Sequence, residues 1–120
     1  MKALPVSIIL FVILIFVISV NSVFVNQTAA TIDRLATEIA SSDDRGILLS
    51  ELNEYWESRH SFLALSITTD MIDNVASTII CLNEAYEFSR ENDIQKYSLI
   101  LSDQANAIRR AERFTAESIL

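Results

Sequence analysis

The sequence predicts an all-α protein in which an N-terminal transmembrane helix continues into a small antiparallel bundle of three to four helices. Three observations indicate this fold class. The 120 residues include one Gly and one Pro, a scarcity that disfavours tight turns and favours long helices with short connections. Residues 4–20 are uncharged and consist almost entirely of Leu, Ile, Val and Phe. Beyond them, apolar residues recur at helical spacing along the chain.

The first helix is predicted to cross a membrane. A run of about 17–25 apolar residues spans the hydrocarbon core of a bilayer, and the uncharged stretch extends from Ala3 to Ile32. We expect residues 1–30 to form the anchor and residues 31–120 an extracytoplasmic helical bundle domain. Lys2 precedes the span and no cluster of Lys or Arg follows it. The positive-inside rule therefore places the N-terminus in the cytoplasm and the domain outside a single-pass cell-membrane anchor.

A cleaved signal peptide is the alternative interpretation of this segment. The apolar stretch is longer than the signal core of about 7–15 residues, which favours an uncleaved anchor. Small residues nevertheless offer two cleavage points, at Ser22 and at Ala30. Both interpretations place the rest of the chain outside the cytoplasm.

Three amphipathic helices are predicted after the span. The first helix should continue to about Ala40, before the breaker in residues 41–46. Helix two is expected over about 44–66, and helix three over about 70–90 with Thr69 as its N-cap. Helix four should follow a cap at Asn92–Asp93. The alternative that helices two and three form one bent helix through residues 66–70 stays open, because no Gly or Pro lies there.

The predicted core stripes follow the helical period, and short links should make successive helices antiparallel. The residues expected to face the core are Leu48, Leu52, Tyr55, Trp56, Phe62 and Leu63 in helix two, Ile72, Val75, Ala76, Ile79, Leu82 and Tyr86 in helix three, and Ile94, Tyr97, Leu101, Ala105, Ile108 and Ala111 in helix four. A domain of this size has a small core, so we expect the outer end of the first helix to help cover it.

Charge and cysteine content narrow the classes of function. The formal net charge is −7, and the acidic excess lies after the apolar stretch, which opposes binding to nucleic acid. Cys81 is the single cysteine, so the chain forms no internal disulfide. The bilayer itself is the first expected partner.

Positions along the whole chain resemble a known bacterial family. A short N-terminal span is followed by a Trp in helix two, an Ile-Asp pair in helix three and a final Ile-Leu. In this combination the chain resembles domain of unknown function 4363, a family found mainly in spore-forming Gram-positive bacteria. The matching positions are Trp56, Phe62, Leu65, Ile72, Asp73, Leu82, Asp93, Ile108, Phe114, Ile119 and Leu120.

The resemblance has two departures and limited functional content. The family often has His where this chain has Thr69, and Asn where it has Ser118, so no role of that His transfers. The family has no established activity. The resemblance therefore implies an anchored topology, a spore-forming host and an accessory role beside another small integral membrane protein.

No pattern in the sequence predicts catalysis, a metal site or a cofactor. Glu57 and His60 form a Glu-x-x-His step, which supplies two ligands in carboxylate-bridged bundles, but those sites need the motif twice and this chain has one His. Cys81 has no basic neighbour within a helical turn that would activate its thiol. We therefore predict a protein that is not an enzyme.

Surplus apolar residues predict a binding role. The candidate interaction or core residues are Tyr55, Trp56, Met71, Ile80 and Phe88. The favoured hypothesis is an accessory or scaffold protein that binds an integral membrane protein or associates with itself. The alternative is a helical ligand-binding or sensor domain, released or anchored, that holds a small molecule, cationic in view of the charge, between its helices.

Overall fold

The computed structural model describes the backbone of residues 3–119 and the side chains of residues 4–113. Over this range the chain forms helices and no strands. The helices are α1 (Ala3–Ser41), α2 (Arg45–Leu63), α3 (Thr69–Glu87) and α4 (Glu91–Ile119). Their short connections make successive helices antiparallel. The structure confirms the predicted class: an all-α chain whose long apolar N-terminal helix leads into a helical bundle.

The two halves of α1 have different surroundings. In its N-terminal half most apolar side chains are exposed, from 52% at Ile13 to 69% at Leu4, whereas Ile15 and Ile18 are half-buried. Its C-terminal half lies in the bundle, as expected from the small core. The buried residues of α1 are Val25, Thr28, Ala29, Ile32, Leu35, Ala36 and Ile39. Burial begins at Val25, inside the range 1–30 predicted to form the anchor. The exposed segment and the bundle therefore share one uninterrupted helix.

α1 and α4 form the most extensive helix pair of the bundle. The buried residues of these two helices include Val25, Thr28, Ile32, Leu35 and Ile39 on α1, and Ile94, Ser98, Leu101, Ala105 and Ile108 on α4. Their spacing alternates between three and four residues, which is typical of helices that pack knobs into holes in a left-handed supercoil. The hydroxyl of Ser102 also donates a hydrogen bond to the carboxylate of Asp33 across this pair.

Most of the predicted core residues are buried or lie against the core. Leu52, Trp56, Leu63, Val75, Ile79, Leu82, Ile94, Leu101, Ala105 and Ile108 are buried. Leu48, Tyr55, Ile72, Ala76 and Tyr97 are partly buried and pack against that cluster, and Ala111 is half-buried.

Two aromatic residues predicted to face the core lie at its surface instead. Phe62 is 62% exposed and Tyr86 is 44% exposed, so both assignments were wrong. Their neighbours Leu63 and Ala85 occupy the core, and adjacent residues of a helix point in different directions. The ring of Tyr86 instead reaches the first turn of α2, where a Cβ on Gly46 would lie 2.7 Å from its hydroxyl oxygen.

The predicted caps were wrong by one to three residues. α2 ends at Leu63, and a turn precedes α3, so these are two helices rather than one bent helix. The N-cap of α3 is Thr68, whose hydroxyl accepts a hydrogen bond from the backbone N–H three residues later, and Thr69 is already helical. α4 begins at Glu91, so Asn92–Asp93 lie inside its first turn rather than before it.

The connection between α3 and α4 is a Schellman motif. Ser89 has a φ of 54°, the left-handed conformation that usually selects Gly at this position. The backbone N–H of Arg90 donates to the carbonyl of Ala85 at 2.8 Å, and that of Ser89 donates to the carbonyl of Tyr86 at 3.1 Å. These bonds satisfy the last carbonyls of α3 and let α4 begin two residues later.

Arg45 joins three helices at the end of the bundle away from the N-terminus. Its Nε donates to the carbonyl of Ile39 at 2.9 Å and its Nη2 to that of Ala40 at 3.2 Å. The guanidinium also forms a two-pronged ion pair with Glu91. This hydrogen-bonded pairing lowers the pKa of Glu91 and raises that of Arg45 from their ordinary values.

Candidate interaction surfaces

The exposed half of α1 is long and apolar enough to cross a membrane. From Leu4 to Val23 the helix rises about 30 Å at 1.5 Å per residue, which matches the hydrocarbon thickness of a bilayer. The core helix of a soluble protein would be mostly buried, whereas the side chains of this segment are largely exposed. The segment therefore has the properties of a membrane span or a signal anchor.

A second surface, the α2–α3 groove, lies where the two middle helices meet. α2 and α3 pack less extensively than the other helix pairs that touch, and a cavity of about 340 Å³ opens between them. The residues that line the groove are Asn53, Trp56, Glu57, Ala76, Ile79, Ile80 and Asn83. The side-chain amides of Asn53 and Asn83 donate to each other at 2.9 Å, so a reciprocal amide pair bridges the helices.

The structure brings together two of the five candidate residues predicted from sequence. Trp56 is 7% exposed and Ile80 is 59% exposed, and both line the α2–α3 groove. Tyr55 packs against the core, with the guanidinium carbon of Arg59 5.1 Å from its ring centroid.

The other two candidates lie at the two ends of α3. Met71 is half-buried near the start of the helix, where it lines shallow cavities against α4. Phe88 is exposed at the opposite end of α3, with the guanidinium carbon of Arg90 5.3 Å from its ring centroid. The five residues therefore do not form one surface.

A third surface, the proximal groove, lies where the α2–α3 turn meets α1. Its volume is about 350 Å³, and its lining residues are Phe16, Val17, Val20, Asn21, Phe24, Phe62 and Leu65. The hydroxyl of Ser66 donates to the side-chain oxygen of Asn21 at 2.5 Å. The rings of Phe24 and Phe62 meet edge to face, with their centroids 6.1 Å apart.

Sequence reasoning missed the proximal groove. Phe62 was assigned to the core, and Leu65 was noted only as a position of the family resemblance. The available signal was the run of four apolar residues from Phe62 to Leu65. One face of a helix cannot bury four consecutive residues, so part of this run had to face outward.

The groups considered for chemistry are not assembled into a reactive site. The His60 Nε2 atom lies 4.0 Å from a carboxylate oxygen of Glu57, on an exposed helix face. Cys81 is a half-buried free thiol. Among the described residues, no group of three or more His, Cys, Asp or Glu side chains is arranged to hold a metal ion.

Comparisons with known proteins give no match. No family model, no curated protein and no solved structure matches the chain. The resemblance to the family of spore-forming bacteria therefore stays a prediction drawn from the sequence positions.

Proposed function

We propose that the protein is a membrane-anchored, extracytoplasmic helical protein that acts by binding another protein, as an accessory or scaffold subunit of a membrane assembly. The observation that carries this proposal is the continuity of α1, whose exposed apolar half runs without a break into the core of the bundle. A bundle built on such a helix is held close to the bilayer in a fixed orientation. The predicted orientation, with the N-terminus in the cytoplasm, rests on Lys2, and the family resemblance supports the same topology.

The packing of α1 favours retention of the anchor over its removal. Cleavage at Ala30 would remove Val25, Thr28 and Ala29, which are 0–1% exposed in the bundle core. Cleavage at Ser22 would spare that core, but it would remove Asn21, the hydrogen-bond partner of Ser66. A retained helix keeps all of these contacts.

The α2–α3 groove is the surface that we assign to the protein partner. Ile80 is an exposed apolar side chain at its edge, and the amides of Asn53 and Asn83 add polar groups. An apolar centre with polar groups beside it is typical of protein interfaces. The groove lies on the side of a bundle that stands on the membrane, so an integral membrane protein with an extracytoplasmic part can reach it.

Site-specific photo-crosslinking in native membranes tests this assignment. A photoreactive amino acid at Ile80 should yield a discrete crosslinked product, either with another membrane protein or with a second copy. The same amino acid at Leu99, an equally exposed apolar position on α4 outside the groove, serves as the control. Recovery of monomer alone from both positions, or equal products from both, would contradict the assignment.

A small-ligand site is the second candidate for the α2–α3 groove. Its volume lies within the range of about 300–1,000 Å³ that is typical of ligand pockets, and it combines Trp56 with Glu57 and an amide pair. An acidic side chain beside an indole suits a cationic ligand. Thermal unfolding should then shift upward with polyamines or divalent cations, and an Asn53→Ala variant should lose that shift. An unchanged midpoint with all of them would remove this candidate.

A further inference from the structure

We propose that the proximal groove is a second membrane contact, occupied by lipid acyl chains of the leaflet next to the bundle, with Phe62 and Leu65 inserted at the edge of the hydrocarbon core. This inference rests on the proposed membrane placement of α1 and extends it to the α2–α3 turn. It makes the α2–α3 turn, in addition to α1, a part of the chain that lies on the membrane.

The height of the groove along α1 is the first support. If the span begins near Leu4, about 30 Å of hydrocarbon ends near Val23 at 1.5 Å per residue. The groove is lined on the α1 side by residues from Phe16 to Phe24, a range that brackets this boundary. The side chains of Phe62 and Leu65 meet α1 at that level, so membrane insertion of α1 brings them to the lipid interface.

The exposure of the turn is the second support. Leu65 is 86% exposed and Phe62 is 62% exposed, and a contiguous exposed apolar patch is typical of a protein or membrane interaction site. The turn is also fixed in place, because Ser66 is hydrogen-bonded to Asn21 and Phe62 packs edge to face on Phe24. The exposed pair is thus held beside the exposed half of α1 as one continuous apolar surface.

The chemistry of the lining favours lipid over a protein segment as the occupant. Among the described residues that line the groove, Asn21 is the one polar residue, and its side-chain oxygen accepts the hydrogen bond from Ser66. The occupant of the groove therefore needs to form few hydrogen bonds, which suits an acyl chain. It also shares Phe16, Val17 and Val20 with the apolar surface of α1, so the lipid around the span extends into the groove without a break.

Depth-dependent fluorescence quenching in vesicles tests the proposal with the full chain. In a Cys81→Ala background, single cysteines replace Ala64, Val12 or Ile47 and carry a polarity-sensitive fluorophore. Ala64 is an exposed residue of the turn and leaves Phe62 and Leu65 intact. The vesicles are phosphatidylcholine with a nitroxide placed either near the headgroup or near the end of the acyl chain, and iodide is the aqueous quencher.

We expect the label at Ala64 to be quenched mainly by the nitroxide near the headgroup. Iodide should quench it much less than it quenches the label at Ile47. The label at Val12 should be quenched by the deeper nitroxide. Ile47, an exposed apolar residue at the other end of the bundle, should respond to iodide alone. Adding Leu65→Glu should shift the Ala64 label toward the Ile47 pattern while the Val12 label is unchanged.

Each other outcome has a defined meaning. An Ala64 label that behaves like the Ile47 label, beside a lipid-quenched Val12 label, would overturn the inference and leave the anchor intact. An Ala64 label shielded from both iodide and lipid nitroxides, with energy transfer between labelled copies, would show a second copy in the groove and also overturn it. A Val12 label that is not quenched by lipid would instead contradict the anchor on which the inference rests.

Discussion

At the scale of single residues, Ser89 holds a backbone conformation that Gly adopts more readily. Its φ of 54° brings its Cβ close to the backbone, a cost that Gly avoids. We expect Ser89→Gly to raise the free energy of unfolding by about 0.5–1 kcal/mol, because the relief of strain exceeds the extra chain entropy. Urea titration in detergent, followed by the fluorescence of the buried Trp56, measures the change.

The matched control for this substitution lies in the same helix. Ser77 is exposed and helical in α3, so Ser77→Gly should lower the free energy of unfolding by about 0.3–0.5 kcal/mol. Equal destabilisation by the two substitutions would show that residue 89 is not held in the left-handed conformation.

The ion pair between Arg45 and Glu91 predicts a pH dependence with a defined sign. The hydrogen bonds from Arg45 hold the pKa of Glu91 below its ordinary value of 4.5. The pair therefore stabilises the fold fully above that pH, and the stabilisation is lost as the pH falls through the lowered pKa. The raised pKa of Arg45 adds no dependence at neutral or acidic pH.

Comparison with Glu91→Gln isolates this contribution. The difference in free energy of unfolding between the native chain and the variant should be constant near neutral pH and should shrink below pH 4.5. A difference that stays constant through acidic pH would contradict the ion pair.

Single residues also mark the limit of prediction from this sequence. The helical period identifies which residues lie near the core, but it cannot separate Phe62 from Leu63 or Tyr86 from Ala85, since each pair lies at the edge of a stripe. Tertiary contacts decide which residue of each pair is buried. Phe62 makes an edge-to-face contact with α1, and Tyr86 fits into the space over Gly46.

At the scale of helices, the α1–α4 seam should contribute the most packing energy. Leu101 on α4 is 0% exposed, whereas its near neighbour Leu99 is 62% exposed. We expect Leu101→Ala to lower the free energy of unfolding by about 2–5 kcal/mol, and Leu99→Ala to change it by less than about 0.5 kcal/mol. Urea titration of the two variants measures both changes. Similar losses of free energy of unfolding would contradict the burial of Leu101 and the exposure of Leu99.

α1 supplies both the exposed apolar segment and part of the bundle core. Two chains shortened at different points of α1 should therefore differ sharply in stability. A chain that begins at Val23 keeps all of the buried residues of α1, whereas a chain that begins at Thr31 lacks Val25, Thr28 and Ala29. The first should unfold cooperatively in urea. The second should lose at least the stability of a large core truncation, about 2–5 kcal/mol. Equal stability would show that the bundle does not depend on this part of α1.

The helices and their order could be predicted from the sequence because apolar periodicity and rare breakers are local signals. The boundary between α2 and α3 was predicted only to within three residues, because no Gly or Pro marks it and either of two adjacent Thr residues could cap α3. A contact made after folding holds the turn: Ser66 bonds to Asn21, 45 residues earlier in the chain. The proximal groove was missed for the same reason, since it exists only when the turn meets α1.

At the scale of the whole molecule, the described chain is 68 Å long and 23 × 21 Å across. The exposed apolar half of α1 lies at one end. The α2–α3 turn lies beside that half, and the ion pair of Arg45 and Glu91 lies at the far end of the bundle. The exposed half of α1, the turn and the bundle thus form one body along a shared axis. With α1 in the bilayer as proposed, α1 would fix the height of the α2–α3 groove above the membrane.

The intact mass of the protein recovered from alkaline-washed membranes tests this account most directly. We expect a membrane-bound species whose mass includes residues 4–23. A soluble species that begins after Ser22 or Ala30 would contradict it, because the helix that carries the bundle would then have lost its anchor.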